Sequence, residues 1–482
     1  MRFIRFNRCL LAALVLSASI ASAATVRADD EPEAQLLNLV LTPRPEPVPA
    51  LRYRLLPSSA ELYPGNAAPV YLRFYAEQNP EAKKQIHEKA VPWLDEPLDA
   101  FPVEEAGDFV RMYGNSLLQL AIAARRKECD WAYPLLEQRE EAYNILLPDI
   151  QELRTASRLL ALKARVEIAQ GDFDEAVRTI QTGMAMARHL AESPFMISRL
   201  VGIAVANQFL DRVEELVSRP DAPNLSWALA ALPRPLIDTR EGLETEQVVG
   251  EWILPELTGL DSVGSEEEWE IRLARLHERL ARIDVELRQA PDDQDEGDRV
   301  PETLDQFRSE YLPAAREFFA EPGSLATDSN AELIVRFLAE RNRRLIDGAF
   351  KFSYLSIREA LPIFARSRIP DDASIVLMPI LPSDSGDEVL ALVRHLHLPP
   401  ARIARRVAAL RVVEAIRWHA SANEGTLPAS LDAIEVIPVP VDPVSGAPFS
   451  YRLDGEAAIL EAPETALPVP TPGLPYRITL RK

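Results

Sequence analysis

Six histidines and 74 acidic residues supply this chain's acid–base groups, and few of them stand at spacings that chemistry requires. His87-Glu88 and His277-Glu278 each open the pattern in which two histidines one helical turn apart bind zinc beside a glutamate base, but Val91 and Ala281 occupy the second histidine positions. His395-Leu396-His397 would put both imidazoles on one side only if it were a strand, and its surroundings read as helix. The acidic run around Asp292, Asp293, Asp295 and Asp298 fails as a calcium loop because Gly297 sits where an oxygen ligand is needed. Cys129-Asp130-Trp131 offers a thiol, for which the expectation is a small buried hydrophobe and not a reactive group. Trp418 and His419 read as a packing aromatic beside an exposed histidine. Many carboxylate pairs could do acid–base work on a glycan, and no spacing singles one out. Phosphate loops, dinucleotide turns, nucleophile elbows and paired CxxC motifs are missing from the sequence. No catalytic or binding residue is therefore assigned, and neither a metal site nor a cofactor is expected.

The elements around these residues begin with an export signal. Arg2, Arg5 and Arg8 precede the apolar run Leu10–Ile20, and Ala21-Ser22-Ala23 offers a small-residue cleavage site, so residues 1–23 read as a secretory signal peptide. The expected location is periplasmic or extracellular. Cleavage removes three arginines and no acids, so the formal charge goes from −21 to −24. Such acidity opposes binding to nucleic acid and to anionic lipid. Cys129 is then the only cysteine, which leaves no internal disulfide in an oxidising compartment.

Leu153, Ala156, Leu159, Leu160, Ala164, Val166 and Ile168 make one densely apolar helix, which Gly171 ends. Asp172 and Glu175 predict a reciprocal cap for a second helix whose face is Phe173, Ala176, Val177, Ile180, Met184 and Ala187, with Arg178, Thr182 and Arg188 elsewhere. The turn Gly171-Asp172-Phe173-Asp174-Glu175-Ala176 resembles that between the two helices of a tetratricopeptide repeat, which implies a protein-binding superhelix. A single αα-hairpin inside a larger helical domain explains the same residues.

Residues 24–60, with Pro43, Pro45, Pro47 and Pro49, read as an extended or mobile lead-in; Arg52–Leu55 and Glu61–Tyr63 fit strand or loop equally. Helices are expected over Glu104–Lys127, Glu137–Leu147, Leu304–Phe319 and Ala331–Leu361, and after Ser193-Pro194. Leu273, Leu276, Leu280, Ile283 and Leu287 predict a coiled-coil-like helix packed within the chain. Trp227 sits on a one-turn helix that Pro233 and Pro235 stop, forming a rigid elbow. The stretch Cys129–Asp238 is similar to a family of exported bacterial helical proteins to which no activity is attached.

Pro399-Pro400 is expected to break the helix before Ala401, after which Ile403, Val407, Leu410, Val413 and Ile416 form one stripe, with Arg402, Arg405, Arg406 and Arg411 on its other sides. Asp454-Gly455 predicts a hairpin with Ala457–Leu460 as return strand and Tyr476–Leu480 as a third. The helix, the Leu427-Pro428 turn and Val441-Asp442-Pro443-Val444-Ser445-Gly446 before Phe449 and Tyr451 resemble the globular end of type II secretion pseudopilins, which implies a secretion or pilus-like assembly. Some of that family bind calcium in this loop, but only Asp442 and Ser445 align as oxygen donors; a turn capped by Asp442 explains them without metal.

The expected fold is mainly α, a multi-helix bundle or short tetratricopeptide-like hairpin array, with a helical body over 61–398 and a small α+β module over 399–482. The expected function is that of an exported, non-enzymatic scaffold or protein-binding protein. A cell-envelope hydrolase acting on peptide or glycan and a component of a secretion assembly are the alternatives.

Overall fold

A computed structural model describes residues 36–288, 300–320, 327–366 and 387–481, except 78, 79, 140, 141, 143, 144, 146 and 467. The signal segment, residues 24–35 of the lead-in and the acidic run 292–298 lie outside the described residues.

The protein is mainly helical with a small C-terminal sheet. Strand β1 (Leu37–Leu41) comes from the lead-in, and β2 (Tyr63–Asn66) leads into helices α1 (Ala68–Glu77), α2 (Pro80–Asp95), α3 (Val103–Met112) and α4 (Gly114–Ala123). The short β3 (Arg126–Glu128) pairs in parallel with β2. The helix expected over Glu104–Lys127 is thus two: Tyr113 leaves helical geometry at φ −103°, ψ 17°, and Gly114 after it contributes little helix propensity. Of the helix expected over Glu137–Leu147, much of which lies outside the described residues, the described part begins with one turn, α5 (Leu135–Gln138). Pro148, which starts the next helix, biases Leu147 away from helical backbone.

Helices α6 (Pro148–Gln170), α7 (Phe173–Ala191) and α8 (Met196–Val217) form the centre. Gly171 takes the left-handed conformation at φ +83°; its N–H donates to the Ile168 carbonyl and that of Asp172 to Glu167, so the expected stop is present. The reciprocal Asp172–Glu175 cap is not: Asp172 makes no side-chain cap, and Phe195, not Ser193, precedes α8. Helix α7 is buried on nearly every face, Thr182 included, because α4, α6 and α8 all pack on it. Gly183 is required there, since a Cβ would fall inside the ring of Phe209 on α8.

The one-turn α9 (Ser226–Ala230) carries Trp227, with the Ser226 N–H donating to the Asn224 side chain. After the elbow come α10 (Arg240–Ile253), α11 (Glu266–Arg288), α12 (Leu304–Phe318) and α13 (Asn330–Phe350). The last three enclose a second core around Leu273, Leu276, Leu280, Phe307 and Ile334, so the heptad-like helix packs within the chain as expected. Helix α13 does not run on to Leu361: Ser356 and Glu359 cap a new helix, α14 (Ile357–Arg366).

Helix α15 (Asp387–Ala422) then runs through Pro399 and Pro400. These prolines forgo two backbone hydrogen bonds without ending the helix. Tertiary packing carries it instead: Leu396, Leu398, Ala401 and Ile403 are all buried. Strands β4 (Ser450–Asp454), β5 (Ala457–Glu461) and β6 (Tyr476–Leu480) close the chain in a sheet of order β1-β6-β5-β4. β4 and β5 form the expected hairpin, with Asp454 opposite Ala457 and Gly455 at φ +64°. β1 adds in parallel to β6, Leu37 opposite Tyr476 and Leu41 opposite Leu480, turning part of the lead-in into an edge strand. Leu39 and Leu41 bury their side chains there, worth about 1.5–3 kcal/mol each.

Described residues of the C-terminal part pack against the helical body. Ile403, Leu410, Val413, Ile416, Leu460 and Ile478 share one continuous hydrophobic core with α6 to α8. Buried arginines of α15 fasten the parts together: Arg405 and Arg406, which lie off the apolar stripe, are 2% and 1% exposed. Arg405 grips Asp442 through Nε and Nη2, both at 2.9 Å, and donates to the Val469 carbonyl. Arg417 donates to Thr42, Ala222 and Pro223 carbonyls and to Glu414, whose carboxylate accepts from the Leu225 N–H. The arginines are inside because α8, the elbow and the C-terminal loops cover α15 on sides other than its apolar stripe. Among the described residues no helix is long and apolar enough to cross a membrane.

Candidate functional site

A cleft of about 780 Å3 opens where four segments meet: the elbow Leu232–Arg240, the turn Ser353–Ile357, helix α15 from His397 to Arg411, and the loop Pro438–Pro443. Its walls are rich in proline, with Pro233 and Pro235 on one side and Pro438 and Pro440 on another. Proline fixes φ and has no N–H, which disfavours helix and sheet ladder alike, and these segments stand as loops outside both. The floor is the face of α15 carrying Ala404, Val407, Ala408 and Arg411, spaced three and four residues apart.

Charge in the cleft is one-sided. Among the described residues no glutamate lines it, and the one lining aspartate, Asp238, is held by Arg240 from Nε and Nη2 at 2.5–3.1 Å, which keeps the carboxyl below its ordinary pKa. Arg411 is half-buried, and no described carboxylate pairs with it. Burial, and then the nearby guanidinium of Arg234, push the Arg411 pKa down. Among the described residues Arg234 makes a long contact, 3.4 Å, to the Ala230 carbonyl. A cationic pair without a carboxylate is notable in a chain of formal charge −21.

The residues singled out from sequence go to separate places. His397 lines the cleft with its ring 6.2 Å from that of Phe364. His87 meets the Arg158 guanidinium at 3.1 Å, and His277 the Pro301 carbonyl at 2.7 Å. Trp418 packs partly against the main core, with His419 half-exposed beside it. Asp442 is fully buried and accepts from the Val444 and Ser445 N–H groups as well as from Arg405. Burial alone would raise its pKa; the Arg405 and Ser445 hydrogen bonds outweigh it and hold it low. Among the described residues no three His, Cys, Asp or Glu side chains converge as a metal would require.

Sequence reasoning did not find one buried polar group. The Tyr71 hydroxyl lies 2.9 Å from His189 Nδ1, Trp131 stacks on Tyr71 and donates to the His189 carbonyl, and Glu192 accepts from the Cys129 N–H. Burial lowers the His189 pKa to about 4, and its other nitrogen is satisfied by the Arg126 carbonyl, so Nδ1 of the neutral ring accepts from Tyr71. Cys129 is 3% exposed, a buried thiol as expected. With Tyr71, Cys129 and His189 all buried, this group serves as an internal lock between α1, β3 and α7.

The cleft was missed as well. The signal that could have revealed it is Pro-Arg-Pro at 233–235 together with Pro438-Val439-Pro440, two rigid segments with no reason to be stiff in a plain linker. Compared with the known protein families, with curated proteins and with solved structures, the chain matches none of them.

Proposed function

We propose that this chain is an exported, non-enzymatic binding protein of the cell envelope that holds a partner protein in the proline-walled cleft. The observation that carries the reading is the cleft itself, an apolar floor on α15 ending in Arg411, bounded by stiff walls. Binding sites of this kind pair apolar area with a few fixed polar groups on rigid supports. The support here is α15, which buried arginines fasten to α8 and to the C-terminal loops. Export rests on the arginine-flanked apolar run before Ala24. The strong negative charge disfavours nucleic acid and anionic lipid as the partner.

The test is retention of envelope proteins by the immobilised protein, compared with Ala404→Trp, which fills the floor. The expected result is a discrete protein retained by the wild type and lost from the variant, with both melting at the same temperature. Equal retention by both, or none above background, would refute the reading.

A further inference from the structure

Resting on the proposed cleft reading, we infer that the partner presents a carboxylate: Arg411 and Arg234 together receive an aspartate or glutamate side chain on an extended segment, whose neighbouring apolar side chain lies on Val407 and Ala408. Three observations converge on that chemistry. Arg234 and Arg411 line the same cleft, Arg411 following Val407 and Ala408 on its apolar floor, and among the described residues no carboxylate pairs with either guanidinium. The one acidic lining residue is already committed to Arg240, so it does not neutralise them. Pro233, Pro235, Pro438, Pro440 and Pro443 have no N–H groups, so a strand added along these walls would meet an interrupted ladder, and side chains carry most of the recognition.

A carboxylate suits this end of the cleft for a physical reason. The guanidinium fork matches two carboxylate oxygens, and such charge-assisted bonds are shorter and stronger than neutral ones. An anion placed between Arg411 and Arg234 would also offset their mutual repulsion. The half-burial of Arg411 strengthens the attraction relative to open water.

The experiment is fluorescence anisotropy of the full-length protein with a labelled octapeptide alternating leucine and glutamate, against the same peptide with glutamine. Wild type is expected to bind the glutamate peptide at least about tenfold more tightly. Arg411→Met is expected to weaken that peptide by about tenfold to a hundredfold while leaving the glutamine peptide unchanged, with Arg234→Met acting in the same direction. Equal binding of both peptides by the wild type would overturn the carboxylate inference, and the cleft reading would survive if Ala404→Trp still abolished both. Binding of neither peptide would also overturn it, leaving the cleft reading to the retention test. Displacement of the peptide by inorganic phosphate at lower concentration than by acetate would overturn it in favour of a phosphate ligand.

Discussion

Arg406 donates from Nε to Glu214 Oε1 at 2.9 Å and from Nη2 to Glu214 Oε2 at 2.7 Å, a bidentate pair that joins α15 to α8 across 192 residues of chain. Tyr476 of β6 donates to the same Oε1 at 2.5 Å, and Asp211 takes a further bond from Nη2. Burial works against the charge on Arg406, but Glu214 and Asp211 outweigh it and raise its pKa. One carboxylate thus meets a helix of the body, the helix under the cleft and the C-terminal sheet.

Glu214→Ala therefore leaves a buried guanidinium with a depleted set of partners. Breaking a buried pair costs about 3–5 kcal/mol, far more than the net worth of the intact pair. Urea denaturation should show that loss, whereas Arg343→Ala, which removes an exposed pair with Glu340, should cost at most about 1 kcal/mol.

Gly183→Ala should destabilise by about 1–3 kcal/mol or more, because the Phe209 ring occupies the position of the new Cβ and α7 and α8 must separate. Gly202→Ala meets the Ala187 carbonyl at 2.6 Å and should act in the same direction. Gly250→Ala, with open space around it in α10, should be neutral or slightly stabilising. Thermal denaturation of the three variants separates the two cases.

Acid should unlock the Tyr71–His189 pair. The folded pKa of His189, about 4, lies below its ordinary 6.5, so its contribution is fully present above pH 6.5 and is lost as pH falls from there to about 4. The full loss is about 3 kcal/mol. Glu192 and Glu246, whose pKa values desolvation of the carboxyl raises, act oppositely over nearby pH, so the reading is the difference between wild type and His189→Gln. The wild-type stability should fall more steeply between pH 6.5 and 4 than that of the variant.

The helical hairpin could be read in sequence because its determinants are local: apolar spacing over Leu153–Ile168 and a glycine where the chain must turn left-handed. The strand pairing of Leu37–Leu41 could not, because its partner is at the far end of the chain and nothing in Leu-Asn-Leu-Val-Leu names it. The burial of Arg405 and Arg406 could not be read either, for a related reason. A helical stripe predicts one buried face, and α15 is covered on more than one, where ion pairs replace apolar contacts. The cleft is a product of tertiary assembly, since its four walls lie up to about two hundred residues apart in sequence.

Arg411 should prove dispensable for the fold. With no described carboxylate to hold it and Arg234 repelling it, Arg411→Met, which keeps an apolar stem over the floor, should change stability by no more than about 0.5 kcal/mol in either direction. Chemical denaturation would show it, and a loss like that of Glu214→Ala would mark Arg411 as structural.

The central claim is that the cleft holds a partner and leaves it chemically unchanged. Mass spectrometry of envelope material incubated with the purified protein, and recovered from wild type but not from Ala404→Trp, tests it most directly. The predicted result is a retained polypeptide of unaltered mass, with added peptidoglycan and peptides also unaltered. A time-dependent mass change, abolished by replacing one acidic or histidine side chain such as His397, would contradict it.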